Sequence, residues 1–148
     1  MPSNYILQNP RVIVVQKLYG HYLNKDAVIT YPKHRYKKFI KDVVSGTIER
    51  TETIQDLIDK TLKNDINENK TDLIIKLMIM AAIYEFMFMH KTPVKVVINE
   101  YLKVSDFFTE SNQKSFLNAI LDKASRFSRV ENVWWDKLSL KNQIFALL

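Results

Sequence analysis

Apolar residues return at steps of three and four along most of this chain. From Arg11 to Leu23 the positions Val12, Val15, Leu18, Tyr19 and Tyr22 keep to one side of a helix. A loop through Asn24–Pro32 follows. Phe39, Ile40, Val43, Val44 and Ile48 then repeat the spacing, and Ile54, Leu57, Ile58 and Leu62 continue it, either as one long helix or as two that abut. Gly46 falls inside this stretch, where glycine costs about 1 kcal/mol relative to alanine, so its presence predicts a close helix crossing. The polar run Lys63–Lys70 is the best internal linker.

Leu73–Met89 is almost wholly apolar, with Lys76 and Glu85 as its charges. A bilayer asks for roughly 20 apolar residues, so this run reads as the buried central helix of a helical domain, with a membrane-inserted segment as the alternative. Thr92 and Pro93 form a helix start, Thr92 as cap and Pro93 in the first helical position. Val94, Val97, Ile98, Tyr101, Leu102, Ser105 and Phe108 share the face that follows. Ser111 or Asn112 can cap a last core helix with Phe116, Leu117, Ile120, Leu121, Ala124 and Phe127 on its apolar side. That makes about six helices, and no stretch alternates as a half-buried strand does. The tail from Val133, with Trp134, Trp135, Leu138, Ile144 and Phe145, is too apolar for a solvated end. It folds back on the helices or, alternatively, meets a protein partner or a second copy.

The expected class is therefore all-α, one domain over residues 1–148 with an apolar extension from about 130. At 148 residues the core needs no staple. The absence of cysteine removes disulfides, thiolate metal sites and cysteine nucleophiles, and suits a reducing compartment. The N-terminal MPSNYILQNP lacks the basic and apolar regions of a signal peptide, so the cytoplasm is the expected location. Two glycines are too few for a phosphate-binding loop, which argues against nucleotide hydrolysis. His21, His34 and His90 are scattered, without the pairing a zinc site needs. Asp56 and Asp59 sit on an amphipathic helix whose default is a solvated face. No catalytic residue, metal or cofactor is expected.

Charge is placed unevenly. Residues 1–41 carry eight Lys/Arg against Asp26 alone, residues 42–72 four against eight acidic residues, and residues 73–148 ten against seven. The basic N-terminal portion suggests a surface for polyanions, because neutralised phosphates release counterions and drive salt-sensitive binding.

Three stretches carry a resemblance. They are Ala82-Ile83-Tyr84-Glu85-Phe86, then Thr92 to Glu100 (TPVKVVINE), then Ser115 to Lys123 (SFLNAILDK). In this order and spacing they resemble the NusB family of transcription antitermination factors. Val14 to Tyr19 and Phe39 to Gly46 extend the resemblance over about residues 11–127. It implies a fold of two small helical bundles packed across each other. It also implies binding to boxA-type RNA of nascent ribosomal transcripts, together with the small-subunit ribosomal protein that serves as NusE. RNA polymerase in its elongation complex would be engaged indirectly. The alternative is a helical protein-interaction module that has kept the fold and lost sequence-specific RNA binding.

By motif, Tyr19 and Phe116 match positions that the family associates with RNA, where an aromatic face stacks an unpaired base. Both also lie on apolar faces and could serve the core instead. Arg11 and Lys114 are the nearest basic groups and are candidates for phosphate contact. Glu85 and Glu100 are candidates for the protein partner, the alternative being that they cap or brace neighbouring helices. The family's arginine-rich stretch before the first helix is replaced here by Tyr5 to Pro10 and a single Arg11. Lys33, Arg35, Lys37, Lys38 and Lys41, interleaved with His34, Tyr36 and Phe39, can compensate. Cations at a helix start oppose its dipole, so this cluster points to phosphate contact, unless it is an ordinary solvated helix start.

Overall fold

A computed structural model describes residues 8–66, 71–109 and 113–128. Its helices are α1 (Pro10–Leu23), α2 (Lys37–Glu49), α3 (Thr51–Thr61), α4 (Leu73–Phe88) and α5 (Val94–Phe108), followed by α6 at 114–128. Among the described residues there is no strand, and the class is all-α. The expected caps Ser111 and Asn112 and the apolar tail from Val133 lie outside the described residues.

The start of α1 is set by Asn9, whose side chain accepts from the Arg11 N–H at 3.0 Å, and by Pro10 in the first turn. Val12, Ile13, Val14 and Val15 are all buried, four in a row, because α2, α4 and α5 enclose this end of the helix. Its far end is open. There Tyr19 and Tyr22, which the spacing assigns to the apolar face, are exposed.

The long stretch resolves into two abutting helices that break at Arg50. At the break the Thr51 hydroxyl donates back to the Ile48 carbonyl at 2.8 Å and the Thr47 carbonyl at 3.0 Å. Gly46 lies beneath the ring of Tyr84 on α4, which a Cβ at this position would strike. The expected close crossing is there.

Helix α4 is the centre of the molecule and packs against α1, α2, α3 and α5. Asp72 caps it, accepting from the Ile74 N–H at 3.3 Å. Its 16 residues span roughly 24 Å, less than the roughly 30 Å of bilayer hydrocarbon. No described helix is long and apolar enough to cross a membrane. The apolar run is a buried core helix, as its length suggests.

Helix α5 begins one residue later than the sequence suggests. Pro93 is the cap, in extended backbone, and its carbonyl receives the N–H groups of Val96 and Val97 at 3.0 and 3.1 Å. Thr92 makes no side-chain cap bond. Helix α6 adds Leu117, Ile120, Leu121 and Ala124 to the same core. It is tied by Lys123 to Asp65 at 2.6 Å and by Lys114 to Asp106 at 3.0 Å.

Candidate nucleic-acid interface

Two groups of basic residues lie near the start of α1, and they do opposite things. The first is Arg11. Its guanidinium is buried and forked onto Glu85 of α4, with Nε donating to Oε2 at 3.0 Å and Nη2 to Oε1 at 2.6 Å. The ring of Phe39 stands 4.8 Å from the guanidinium carbon on one side, and that of Tyr101 stands 5.6 Å away. Burial works against this charge, but the hydrogen bond and the field of Glu85 outweigh it and hold the arginine above its ordinary pKa. Arg11 therefore does not present itself to phosphate, and Glu85, its side chain fully enclosed, does not present itself to a partner. The alternative role applies to Glu85: the pair braces α1 against α4, with α2 and α5 supplying the two rings.

Tyr101 completes this buried cluster. Its hydroxyl is fully enclosed and lies within the reach of the Arg11–Glu85 pair, without a well-aligned hydrogen bond to either. Enclosure and the neighbouring Glu85 carboxylate push its pKa well up, because both disfavour a phenolate.

The second group is the cluster at 33–41, all of whose cations are exposed. Lys33 and Arg35 sit in the loop ahead of α2, while Lys37, Lys38 and Lys41 occupy its first turns. Lys38 pairs loosely with Asp42 at 3.3 Å, almost fully in water. Lys33, Lys37 and Lys41 have no ion-pair partner among the described residues. Arg35 lies over the exposed Tyr36 ring, 5.4 Å from its centroid. The loop itself is pinned. His34 Nδ1 accepts from the Tyr36 N–H at 2.9 Å, and Nε2 lies 2.8 Å from the Gln8 carbonyl. The neutral tautomer protonated on Nε2 satisfies both contacts. Cations and a flat ring are thus fixed beside the first turn of α1, where Phe39 meets Arg11.

The remaining candidates are more scattered. Tyr19 is exposed, eight residues beyond Arg11 and so about 12 Å further along α1. Phe116 is partly buried and packs on the core. Lys114 is engaged by Asp106. Glu100 is half-buried on α5 and within 3.4 Å of Lys103. Among the described residues no three His, Asp or Glu side chains gather as a metal site would need.

Sequence reasoning missed a groove of about 660 Å³ at the other end of α1. Leu18, His21 and Tyr22 line it together with Thr47 and Ile48 of α2 and Leu77 and Met80 of α4. No single segment signals it, because four helices, α1 to α4, each contribute part of the lining.

Comparison with known proteins places these features in a lineage. The model of the NusB family matches residues 8–126. A transcription antitermination protein NusB of Rickettsia conorii is 26% identical over 117 residues, which is 76% of this chain and 75% of that protein. One of Mesorhizobium japonicum is 29% identical over 94 residues, 64% of this chain and 61% of its own length. One of Rhodopseudomonas palustris (strain TIE-1) is 31% identical over 93 residues, 63% of this chain and 53% of that protein. The chain thus matches between about half and three quarters of these relatives. The solved structure of T. maritima NusB superposes with a TM-score of 0.67 at 23% identity, covering 80% of this chain and 89% of that one, which shows a common fold.

Proposed function

This chain belongs to the NusB family, and we propose that it acts as a transcription antitermination factor that binds single-stranded boxA-type RNA of nascent ribosomal transcripts. In this reading it does so together with the ribosomal protein that serves as NusE, and the pair reaches the elongating polymerase indirectly. The curated relatives are named transcription antitermination proteins. The observation that carries the RNA contact is the exposed cluster Lys33, Arg35, Lys37, Lys38 and Lys41 around Tyr36, held beside the start of α1 by His34. Mobile counterions released from the RNA drive such binding, and an aromatic ring among the cations stacks a base. Tyr19 adds a second exposed ring. Glu100 is the remaining candidate for the protein partner, and Lys114 can join only by exchanging Asp106 for a phosphate.

The test replaces Lys33, Arg35, Lys37 and Lys38 by Gln and follows RNA affinity against salt. Each lost phosphate contact should shorten the slope of log K against log salt by about 0.7, so the slope should flatten by up to about 3. An unchanged slope removes the cluster from the RNA surface. Affinity for boxA-type RNA that does not rise over scrambled RNA when the NusE-like protein is added would favour the interaction-module reading.

A further inference from the structure

Tyr19, Tyr22 and Leu23 are exposed together at the far end of α1, where steps of three and four put them on one face. Beside them runs the groove whose apolar wall is Leu18, Tyr22, Ile48, Leu73, Leu77 and Met80. Its charges cancel, Lys25 and Lys76 against Glu49 and Glu52, so it favours neither a polyanion nor a strongly basic segment. What it offers is apolar surface that runs on into an exposed aromatic face. Such surface on a folded protein marks a contact.

The chain carries a segment of matching character. Residues 129–148, outside the described residues, bring Trp134, Trp135, Leu138, Leu140, Ile144 and Phe145 among two acidic and three basic residues. The family match stops at residue 126, so the family pattern gives this segment no place. The point where α6 ends supplies one. Helix α6 passes from Asp106, paired with Lys114, to Asp65, paired with Lys123, and closes at Ser128 five residues on. Asp65 is six residues ahead of Thr71, which with Leu73 forms the groove wall at the start of α4. The chain thus leaves α6 beside the connection that leads into the groove. Six residues span no more than about 22 Å and twenty up to roughly 66–72 Å, so residues 129–148 reach the groove with length to spare.

We propose that the segment after α6 folds back into this groove, its apolar side chains between Val133 and Phe145 covering Leu73, Leu77, Met80 and the ring of Tyr22. Seated there, it closes the groove and Tyr22 to any other partner. The proposal does not depend on the RNA-binding reading.

Both tryptophans of the chain, Trp134 and Trp135, lie in this segment and report on it alone. In the full chain their emission should lie to the blue of its value in denaturant. Tyr22→Glu with Leu73→Glu puts two charges on the groove wall and should move the emission to the red while far-UV circular dichroism stays helical. The fold tolerates both, because Tyr22 is 55% exposed and a Glu in the first turn of α4 suits the helix dipole. Phe107→Glu, at an exposed ring outside the groove, should leave the emission unchanged. Since the chain has no cysteine, a nitroxide attached to the Tyr22→Cys variant is its single label, and it should broaden both indole N–H signals of the same molecule. A nitroxide on Phe107→Cys should leave them sharp. The labels decide the matter even where the charged variant fails to fold. Emission like that of the denatured chain, or a red shift from Phe107→Glu and none from the groove pair, overturns the proposal. So does broadening found only between labelled and unlabelled chains in a mixture, which would put a second copy in the groove.

Discussion

The buried pair of Arg11 and Glu85 ties the two halves of the chain, joining residues 74 apart in sequence. Removing one partner leaves a charge enclosed without compensation, a loss of about 3–5 kcal/mol. Arg11→Met should therefore lower the stability measured by denaturant unfolding by about that much. Arg11→Met with Glu85→Leu should recover most of it, because two apolar side chains of similar volume need no counter-charge. Equal losses in the single and double variants would contradict the bracing role. Tyr101 offers a second test. Its folded pKa is raised, so its contribution is fully present below the unfolded value of about 10 and is lost as pH climbs past it. Tyr31 and Tyr84 are raised by burial in the same direction. Thermal stability should fall above about pH 10, and Tyr101→Phe should flatten that limb. An alkaline limb as steep in Tyr101→Phe as in the parent would assign the effect elsewhere. Such roles are poorly legible in a sequence. Arg11 beside a family motif looks like a phosphate ligand until Glu85, far along the chain, is found opposite it.

At the scale of elements, Gly46 and Tyr84 fix how α2 crosses α4. In the helix alone Gly46→Ala would stabilise by about 1 kcal/mol, but the new methyl meets the Tyr84 ring. The substitution should raise Tm in a Tyr84→Ala background by more than in the parent, where the Tyr84 ring must swing aside, and equal effects in the two backgrounds would contradict the contact. The crossing was legible because a glycine within a helical pattern needs a reason. The periodicity also located the helices, since a stripe at steps of three and four survives in the folded core. Ends were less legible: α5 is capped through the Pro93 carbonyl and not by Thr92, a choice made by backbone geometry that residue type does not encode. The exposure of Tyr19 and Tyr22 was hidden for another reason. Whether a stripe is covered along its whole length depends on where the neighbouring helices stop, and the far end of α1 is left open to the groove.

For the whole molecule, the separation of charges sorts the surface. Arg11, next to a family motif, is used inside, as a brace, while five exposed cations stand close together in the loop and first turns of α2. The sequence's uneven charge points to this region, but spacing could not tell the internal cation from the external ones, because burial is a property of four helices together. In the proposed function salt is the deciding variable: affinity from counterion release falls with ionic strength, whereas a protein interface built on a half-buried carboxylate would be affected less. The most direct measurement is titration of boxA-type RNA at several salt concentrations, with and without the NusE-like ribosomal protein, for the parent and the Lys33, Arg35, Lys37, Lys38→Gln variant. The account predicts tighter binding when the protein is present, and a salt slope shallower by up to about 3 in the variant. Binding no tighter than to scrambled RNA, or a slope identical in both proteins, would contradict it.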